Sequence, residues 1–319
     1  MKTRPILAPA IVALGFCCGQ VCADSRSPDP IQCRLTVMHQ HLYVPLALAG
    51  QVRPSWWLID TGSPWSFVGT EQGQRLARSA PSASERTVVV DGKSSKILAN
   101  IEGTVNGNSL GRFDFFETYL GGLIDRMHNA DVGYLYTFDT GGVLGVNFLA
   151  QRGASLDFRS QELFFALAGA SSGSNRIELE KEGFTYVPIR ITPSDRIEVI
   201  GSIGPDIYSF LIDSGSSRTV LQWAIKTANQ VPVWYKGFVV FGFGQTSVRA
   251  ATGRLASLKL GTEEVGGKLF EFANLSNLRG GFSHAYGGII GIDLLWAHQA
   301  ILDIGGRALY LKPVPQKRR

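Results

Sequence analysis

Hydrophobic and polar residues alternate along this chain in short stretches that are typical of β-strands. One stretch, Thr87 to Ile97, bends at Asp91-Gly92, a recognised hairpin signal. A second stretch, Val239 to Val248, is interrupted by Gly242 and Gly244. Long helical periods are few. The pattern therefore predicts an all-β protein of two β-barrel-like lobes with a cleft between them.

One short pattern occurs twice: two apolar residues, an aspartate, a small hydroxyl residue, glycine and serine. The first copy is Leu58 to Ser63 and the second is Leu211 to Ser216. Each copy alone is ordinary for a turn. The pair is more informative, because acid–base chemistry by paired carboxyl groups needs two such aspartates. The candidate catalytic residues are Asp60 and Asp213, and the supporting loop residues are Thr61, Gly62, Ser63, Ser214, Gly215 and Ser216.

Further landmarks repeat in the same order, as an internal duplication requires. Tyr43 to Leu48 matches Tyr186 to Ile191 before each motif. After each motif, Val143-Leu144-Gly145 matches Ile289-Ile290-Gly291. The spacing after these glycines is identical in the two copies. An aspartate at a predicted strand turn follows 12 residues after each glycine, namely Asp157 and Asp303. We assign these two later aspartates structural roles.

Paired carboxyl groups explain why two aspartates matter. At a separation of about 3 Å both cannot ionise, so one keeps a proton while the other is charged. The charged group can take a proton from a water that attacks a peptide carbonyl, and the protonated partner can donate to the carbonyl oxygen. We expect the hydroxyls of Thr61, Ser63, Ser214 and Ser216 to hold the carboxylates coplanar and stabilise their ionised form. Such donors would lower the pKa values of the pair and place activity on the acidic side.

These residues resemble the aspartic peptidase clan, over roughly Tyr43 to Pro313. In that family each lobe contributes one Asp-Thr/Ser-Gly loop, and a hydrophobic-hydrophobic-glycine segment threads behind it. The resemblance implies the acid-protease fold and hydrolysis of an extended polypeptide by Asp60 and Asp213, with no metal or organic cofactor. The short lobes look like retropepsin domains in tandem, whereas serine after each loop glycine looks like pepsins. The chain thus resembles a single-chain protease of bacterial type.

In that family a mobile hairpin, the flap, covers the substrate. The tyrosine that pepsins carry there is missing from this sequence. The two glycine-bearing hairpins are candidate flaps, with ordinary surface hairpins as an equal alternative. The candidate flap residues are Val90, Asp91, Gly92, Phe241, Gly242 and Phe243.

Other chemistries fit the sequence poorly. Gly92-Lys93-Ser94 resembles the end of a phosphate-binding loop, but position 87 is threonine where that motif needs glycine. His39 and His41 lack matching ligands for a metal, and no Gly-x-Ser-x-Gly elbow indicates a serine hydrolase. Two alternatives stay open: a noncatalytic peptide-binding module on the same fold, and a regulatory protease with a narrow target.

The amino-terminal residues have the pattern of a secretory signal peptide. Lys2 and Arg4 precede an apolar run from Ile6 to Cys18, and Val21 to Ala23 forms a small-residue cleavage site. We predict cleavage after Ala23 and export to the periplasm or beyond, with an uncleaved anchor as the alternative. The run is shorter than the roughly 20 apolar residues of a membrane span, so no stable membrane insertion is expected after cleavage.

Cysteine content and net charge limit the cellular compartment and the classes of binding partner that we expect. Cleavage removes three of the four cysteines and leaves Cys33, so no internal disulfide is expected, which favours a bacterial periplasm. The net charge of +5 falls to +3 without Lys2 and Arg4. Without the basic tail from Lys312 as well, 25 basic residues face 26 acidic ones. No broad cationic field for nucleic acid is implied, and a monomer is expected.

Small and polar residues from Ala166 to Asn175 are typical of a flexible linker. We therefore predict a signal peptide over residues 1–23, a first lobe over 24–170, a linker over 171–180 and a second lobe with its basic tail over 181–319. Trp56, Trp57 and Trp65 flank the first aspartate, and we expect each to pack in the core behind the loop.

Overall fold

The stretches of alternating apolar and polar residues form β-strands, which confirms the predicted all-β class. The computed structural model describes residues 29–38, 40–49, 51, 53–80, 83–90, 93–118, 140–166, 175–241, 247–276 and 281–314. Within those ranges the chain forms 23 strands and five short helices.

The elements of the first half are β1 (Ile31–Arg34), β2 (Thr36–Met38), β3 (His41–Leu48), β4 (Ser55–Ile59), β5 (Phe67–Gly69), α1 (Thr70–Ser79), β6 (Ser84–Val90), β7 (Lys93–Val105), β8 (Asn108–Thr118), β9 (Thr140–Leu144), α2 (Val146–Gln151), β10 (Ser155–Asp157) and β11 (Glu162–Phe165). The elements of the second half are α3 (Arg176–Lys181), β12 (Thr185–Ile191), β13 (Ile197–Ile203), β14 (Asp206–Ile212), β15 (Val220–Gln222), α4 (Trp223–Ala228), β16 (Val233–Phe241), β17 (Ser247–Leu255), β18 (Lys259–Leu260), β19 (Glu263–Glu264), β20 (Lys268–Ala273), β21 (Ala285–Ile290), α5 (Ile292–Ala297), β22 (Ile301–Asp303) and β23 (Ala308–Leu311).

The two halves repeat one strand arrangement. The first sheet runs β2-β3-β4-β9-β5-β8-β7-β6, and the second contains the series β14-β21-β15-β20-β17-β16. In each half the strand before the aspartate lies parallel to the strand before the hydrophobic-glycine segment, with Ile59 opposite Leu144 and Ile212 opposite Ile290. The internal duplication inferred from the sequence is therefore present in the strand order as well.

Short strands from both halves join in one ribbon, in the order β1-β11-β10-β22-β23-β12. Its centre is the antiparallel pair of β10 and β22, where Leu156 lies opposite Leu302. The aspartates that end these two strands hold turns. Asp157 Oδ1 accepts from the backbone of Arg159 at 2.7 Å, and Asp303 Oδ1 accepts from that of Gly306 at 2.7 Å. Both aspartates therefore have the turn contacts that we assigned to them.

A continuous apolar core lies behind the sheets and includes residues of both halves, such as Trp57, Phe148, Phe210 and Leu302. Trp57 packs against Phe115 with ring centroids 5.1 Å apart, as expected for a core tryptophan. Cys33 is buried and unpaired, and burial raises the pKa of its thiol to about 12. That thiol is therefore a packing group in β1.

Several predicted features lie outside the described residues: the signal segment, His39, and residues 171–174 of the linker. The remaining linker residues include the start of α3, where Asn175 accepts a hydrogen bond from Ile177 N at 3.1 Å. Among the described helices none is both long and apolar enough to span a bilayer. The described histidines, cysteines, aspartates and glutamates form no group of three or more suited to a metal ion.

Candidate active site

Each candidate aspartate lies at the point where a parallel strand pair opens. Asp60 follows β4, and its backbone N–H donates to Leu144 O at 3.0 Å. Asp213 follows β14 and donates in the same way to Ile290 O at 3.0 Å. The strands before both aspartates have matched registers, so the two loops begin at equivalent points of their sheets. The loops meet, because Thr61 N donates to Ser214 Oγ and Ser214 N donates to Thr61 Oγ1.

The meeting is close enough for the carboxyl groups of Asp60 and Asp213 to be hydrogen-bonded to each other. Each carboxyl also lies against the glycine of the opposite loop. A Cβ built on Gly62 would lie 2.3 Å from Asp213 Cγ, and one built on Gly215 would lie 2.6 Å from Asp60 Cγ. Any side chain at either glycine would push the opposite carboxyl away.

Backbone amides stabilise the carboxylates, and the loop hydroxyls do not. Asp60 Oδ1 accepts from Gly62 N at 2.9 Å and from Ser63 N at 3.1 Å. Asp213 Oδ1 accepts from Gly215 N at 2.9 Å, and the backbone of Ser216 also donates to this carboxyl.

The hydroxyls of Ser63 and Ser216 turn away and donate to backbone carbonyls at 2.7 Å. The expectation that the loop hydroxyls would hold the carboxylates was therefore wrong. The tight turn places N–H groups nearer to each carboxylate than any hydroxyl reaches.

Thr61 and Ser214 form a reciprocal bridge between the two loops. Thr61 Oγ1 donates to Ile212 O at 2.9 Å and accepts from Ser214 N at 2.9 Å. Ser214 Oγ donates to Ile59 O at 2.8 Å and accepts from Thr61 N at 3.1 Å. Both side chains are fully buried. These four hydrogen bonds fix the position of one aspartate relative to the other.

A second pair of hydroxyls, missed from the sequence, ties each loop to the segment behind it. Ser66 Oγ accepts from Gly145 N at 2.9 Å and donates to Asn147 Oδ1 at 2.8 Å. In the other half Thr219 Oγ1 accepts from Gly291 N at 3.1 Å and donates to Asp293 Oδ1 at 2.7 Å. A signal existed, because a hydroxyl residue stands six positions after each aspartate.

Burial raises the pKa of both aspartates. For Asp60 the hydrogen bonds from Asp213 and from the loop amides oppose this rise without cancelling it. For Asp213 burial, the negative charge of Asp60 and the hydrogen bond between the pair together raise the pKa well above its usual value. The expected lowering of the pKa values was therefore wrong, since desolvation outweighs the donors. Such a pair retains one proton between its two carboxyls.

The strands of both candidate flap hairpins are present. Val90 ends β6 opposite Lys93, and Phe241 ends β16 opposite Ser247. Each hairpin lies at the outer end of its series of strands, in equivalent places. Asp91, Gly92, Gly242 and Phe243 lie outside the described residues, so the assignment of flap residues stays a prediction.

Comparisons with known proteins give similarity in structure alone. No protein family matches the chain, and no curated protein matches it in sequence. An aspartic proteinase from Irpex lacteus is similar with a TM-score of 0.49 and 13% identity, covering 89% of this chain and 97% of that one. Basic 7S globulin from soybean is similar with a TM-score of 0.44 and 13% identity, covering 89% and 94%. Both likenesses are distant, so the functional argument depends on the geometry of this chain.

Proposed function

We propose that the chain is an exported aspartic endopeptidase that hydrolyses peptide bonds in extended polypeptides. The observation that carries this proposal is the hydrogen-bonded pair of Asp60 and Asp213, held between two equivalent loops. Asp60 is almost fully buried, and Asp213 is partly exposed. A desolvated carboxyl pair of this kind retains one proton where two isolated aspartates would both be charged.

The first step uses opposite protonation states in the pair. When the shared proton is on Asp213, Asp60 takes a proton from a water molecule as the water oxygen attacks the peptide carbonyl carbon. Asp213 gives its proton to the carbonyl oxygen, so a neutral gem-diol forms. No charge has to be created on the substrate, because each proton transfer offsets the other.

The second step returns the pair to its starting state. Asp60, now protonated, gives its proton to the amide nitrogen, while Asp213 takes a proton from one hydroxyl of the gem-diol. The C–N bond then breaks and releases a carboxylic acid and an amine. The bridge formed by Thr61 and Ser214 supports this exchange, because it keeps the two carboxyls at one separation throughout.

The proposed mode of substrate binding, the lack of a cofactor and the cellular location complete this proposal. An extended substrate would bind across both loops and pair with strand edges through main-chain hydrogen bonds. The two-carboxylate reaction needs neither a metal nor an organic cofactor. We further propose that residues 1–23 direct export, that cleavage follows Ala23, and that the mature chain acts as a monomer in the periplasm or outside the cell.

Aspartate-to-asparagine variants test the reaction. The mature chain and its Asp60→Asn and Asp213→Asn variants are incubated with a reduced, unfolded protein, and the products are read by mass spectrometry. Each variant should lose cleavage by at least about 10³-fold, because neither proton transfer can be completed. Retained cleavage in either variant would contradict the proposal.

The duplicated turn aspartates supply matched controls. Asp157→Asn and Asp303→Asn make the same chemical change in the other repeated pair, where the side-chain oxygen accepts backbone N–H groups. Both controls should keep their activity, since an asparagine oxygen accepts these bonds as well. A parent chain that binds unfolded peptides and never cleaves them would favour the noncatalytic module instead.

A further inference from the structure

Two equivalent positions beside the candidate dyad carry opposite chemistry. Trp65 and Arg218 each stand five residues after an aspartate. The carbonyl of each accepts the hydroxyl of its loop serine at 2.7 Å, Ser63 in one half and Ser216 in the other. The two backbones are therefore held alike, and only the side chains differ.

The glycines behind the loops confirm that equivalence. A Cβ on Gly145 would lie 2.3 Å from Trp65 O, and one on Gly291 would lie 2.3 Å from Arg218 O. The same close approach thus fixes both positions against the segments behind the aspartates. Trp65 therefore belongs to the loop of Asp60, and Arg218 holds the equivalent position in the loop of Asp213.

In the first half the surface at this position is aromatic. Trp65 is 41% exposed, contrary to the expected core position. Its ring packs on Phe116 at 5.3 Å between centroids, and Phe116 packs on Phe67 at 6.0 Å. This packing holds a large apolar side chain at the surface at the exit of a catalytic loop, where it can receive an apolar group.

In the second half the positions equivalent to Trp65 and Phe116 hold charged residues, Arg218 and Glu271. Phe116 lies opposite Phe67 in the strand register, and Glu271 lies opposite Val220 in the equivalent register. Glu271 thus takes the place of Phe116, and its carboxylate lies within the field of the exposed Arg218. Within the described part of the chain, no ion pair or hydrogen bond engages the Arg218 guanidinium. Its donors remain open to a carboxylate from another molecule.

We propose that this asymmetry makes the cleft select the orientation in which a peptide substrate binds. A bound peptide lays an apolar or aromatic side chain on Trp65 at one side of the scissile bond and an acidic side chain against Arg218 at the other. The inference builds on the proposed function, because it names the substrate class of the same site. An extended chain that crosses the midpoint between two equivalent loops passes both positions.

Matched peptides test this directly. One peptide carries phenylalanine upstream of the scissile bond and glutamate downstream, a second reverses the order, and further peptides replace glutamate by glutamine or lysine. One order should be cleaved faster by about tenfold or more, and the glutamate peptide should exceed the lysine peptide by a similar factor in kcat/KM. Equal rates for both orders, or no preference for glutamate, would overturn the inference.

Charge reversal assigns the preference to one residue. Arg218→Glu should invert the glutamate-to-lysine ratio, Arg218→Gln should bring it close to one, and Trp65→Ala should reduce the phenylalanine preference while keeping the charge preference. Arg34→Glu, the same change on the edge strand β1, should leave both ratios as in the parent. An unchanged ratio in both Arg218 variants would refute the inference while cleavage itself upholds the proposed function. Failure to cleave any peptide would overturn both.

Discussion

Gly62 and Asp213 approach so closely that a single methyl group between them is excluded. An ideal Cβ on Gly62 would lie 2.3 Å from Asp213 Cγ, and Gly215 has the reciprocal relation with Asp60 at 2.6 Å. Each loop thus supplies one carboxyl and, through its glycine, the space for the other. The two loops form a single unit, in which neither aspartate can be positioned without the opposite glycine.

Alanine at either glycine should disable the site without unfolding the chain. In Gly62→Ala and Gly215→Ala the opposite carboxyl must move by about 1 Å, which is enough to cost about 100-fold in rate. Cleavage rates and thermal unfolding curves for each variant measure the two effects separately.

Gly204→Ala is the control for replacing a glycine by alanine. No atom lies within 4 Å of its Cβ position, although its φ of +58° makes an alanine strained there. This control should lose a little stability and keep its activity. Full activity in Gly62→Ala would contradict the close approach of the loops.

The Thr61–Ser214 bridge should contribute measurably to stability. Ser214→Ala leaves the buried Thr61 N–H and Ile59 carbonyl without their hydroxyl partner. The free energy of unfolding should fall by about 2–4 kcal/mol, since each buried unsatisfied group costs about 1–3 kcal/mol. Ser214→Thr and Thr61→Ser keep the hydroxyl and should stay within about 1 kcal/mol of the parent in urea unfolding. Equal stability of Ser214→Ala and Ser214→Thr would show that the bridge contributes nothing.

A buried carboxylate, Glu198, should make the second half sensitive to acid. It is 1% exposed and accepts from Ser283 N at 2.7 Å and Ser283 Oγ at 2.6 Å, from Ser209 Oγ, and from Arg190. Burial acts to raise its pKa, but these donors outweigh burial and lower the pKa below its usual value. The stabilisation it provides is therefore full above the pKa of the unfolded chain and is lost as the pH falls through the lowered folded value.

Glu198→Gln should reduce the free energy of unfolding at neutral pH by about 2 kcal/mol, because hydrogen bonds to a charged acceptor are replaced by weaker ones. Its unfolding midpoint should also change less with pH on the acidic side. The exposed Glu71→Gln on α1 is the control and should follow the parent curve. A parent-like midpoint in Glu198→Gln at neutral pH would refute this role.

His298 should add a separate acid-dependent loss of stability. Burial first, and the charge of Lys268 second, lower its pKa to about 4, and Nδ1 lies 3.1 Å from Lys312 O. In the unfolded chain a histidine titrates near its usual pKa of 6.5. The free energy of unfolding should therefore fall by roughly 3 kcal/mol as the pH falls from about 7 to about 4. Above that window the histidine is neutral in both states and the stability no longer changes on its account.

His298→Asn retains an N–H donor for Lys312 O and removes the titration. Its free energy of unfolding should therefore depend less on pH than that of the parent between about 4 and about 6.5. Parallel curves for the two proteins across this window would contradict the inference.

The features that sequence predicted well are local ones. An aspartate followed by Thr-Gly or Ser-Gly at the end of an apolar strand defines a tight turn, and its repetition located both loops and the segments behind them. The strands of the hairpin from Thr87 to Ile97 followed from alternation alone. Glycine at positions 62 and 215 was expected for the turn, while its second role toward the opposite carboxyl needed the structure.

The features that the sequence did not predict depend on contacts between distant residues. Which group donates to Asp60 is decided by turn geometry, which brings backbone N–H groups forward and turns Ser63 away. The Glu198 cluster joins residues that are far apart in the chain, so no spacing rule indicates it. Trp65 was expected inside because tryptophan usually packs there, but its place at a loop exit leaves it exposed.

The central claim is that Asp60 and Asp213 share one proton, and the pH dependence of kcat/KM on a short peptide tests it most directly. Because burial raises the pKa of both carboxyls, and that of Asp213 well above its usual value, the account predicts a bell-shaped profile. Its acidic limb should report the charged carboxyl, and its alkaline limb, displaced well above the range of an ordinary aspartate, should report loss of the shared proton. A rate that rises with pH to a plateau and stays there would contradict the shared proton.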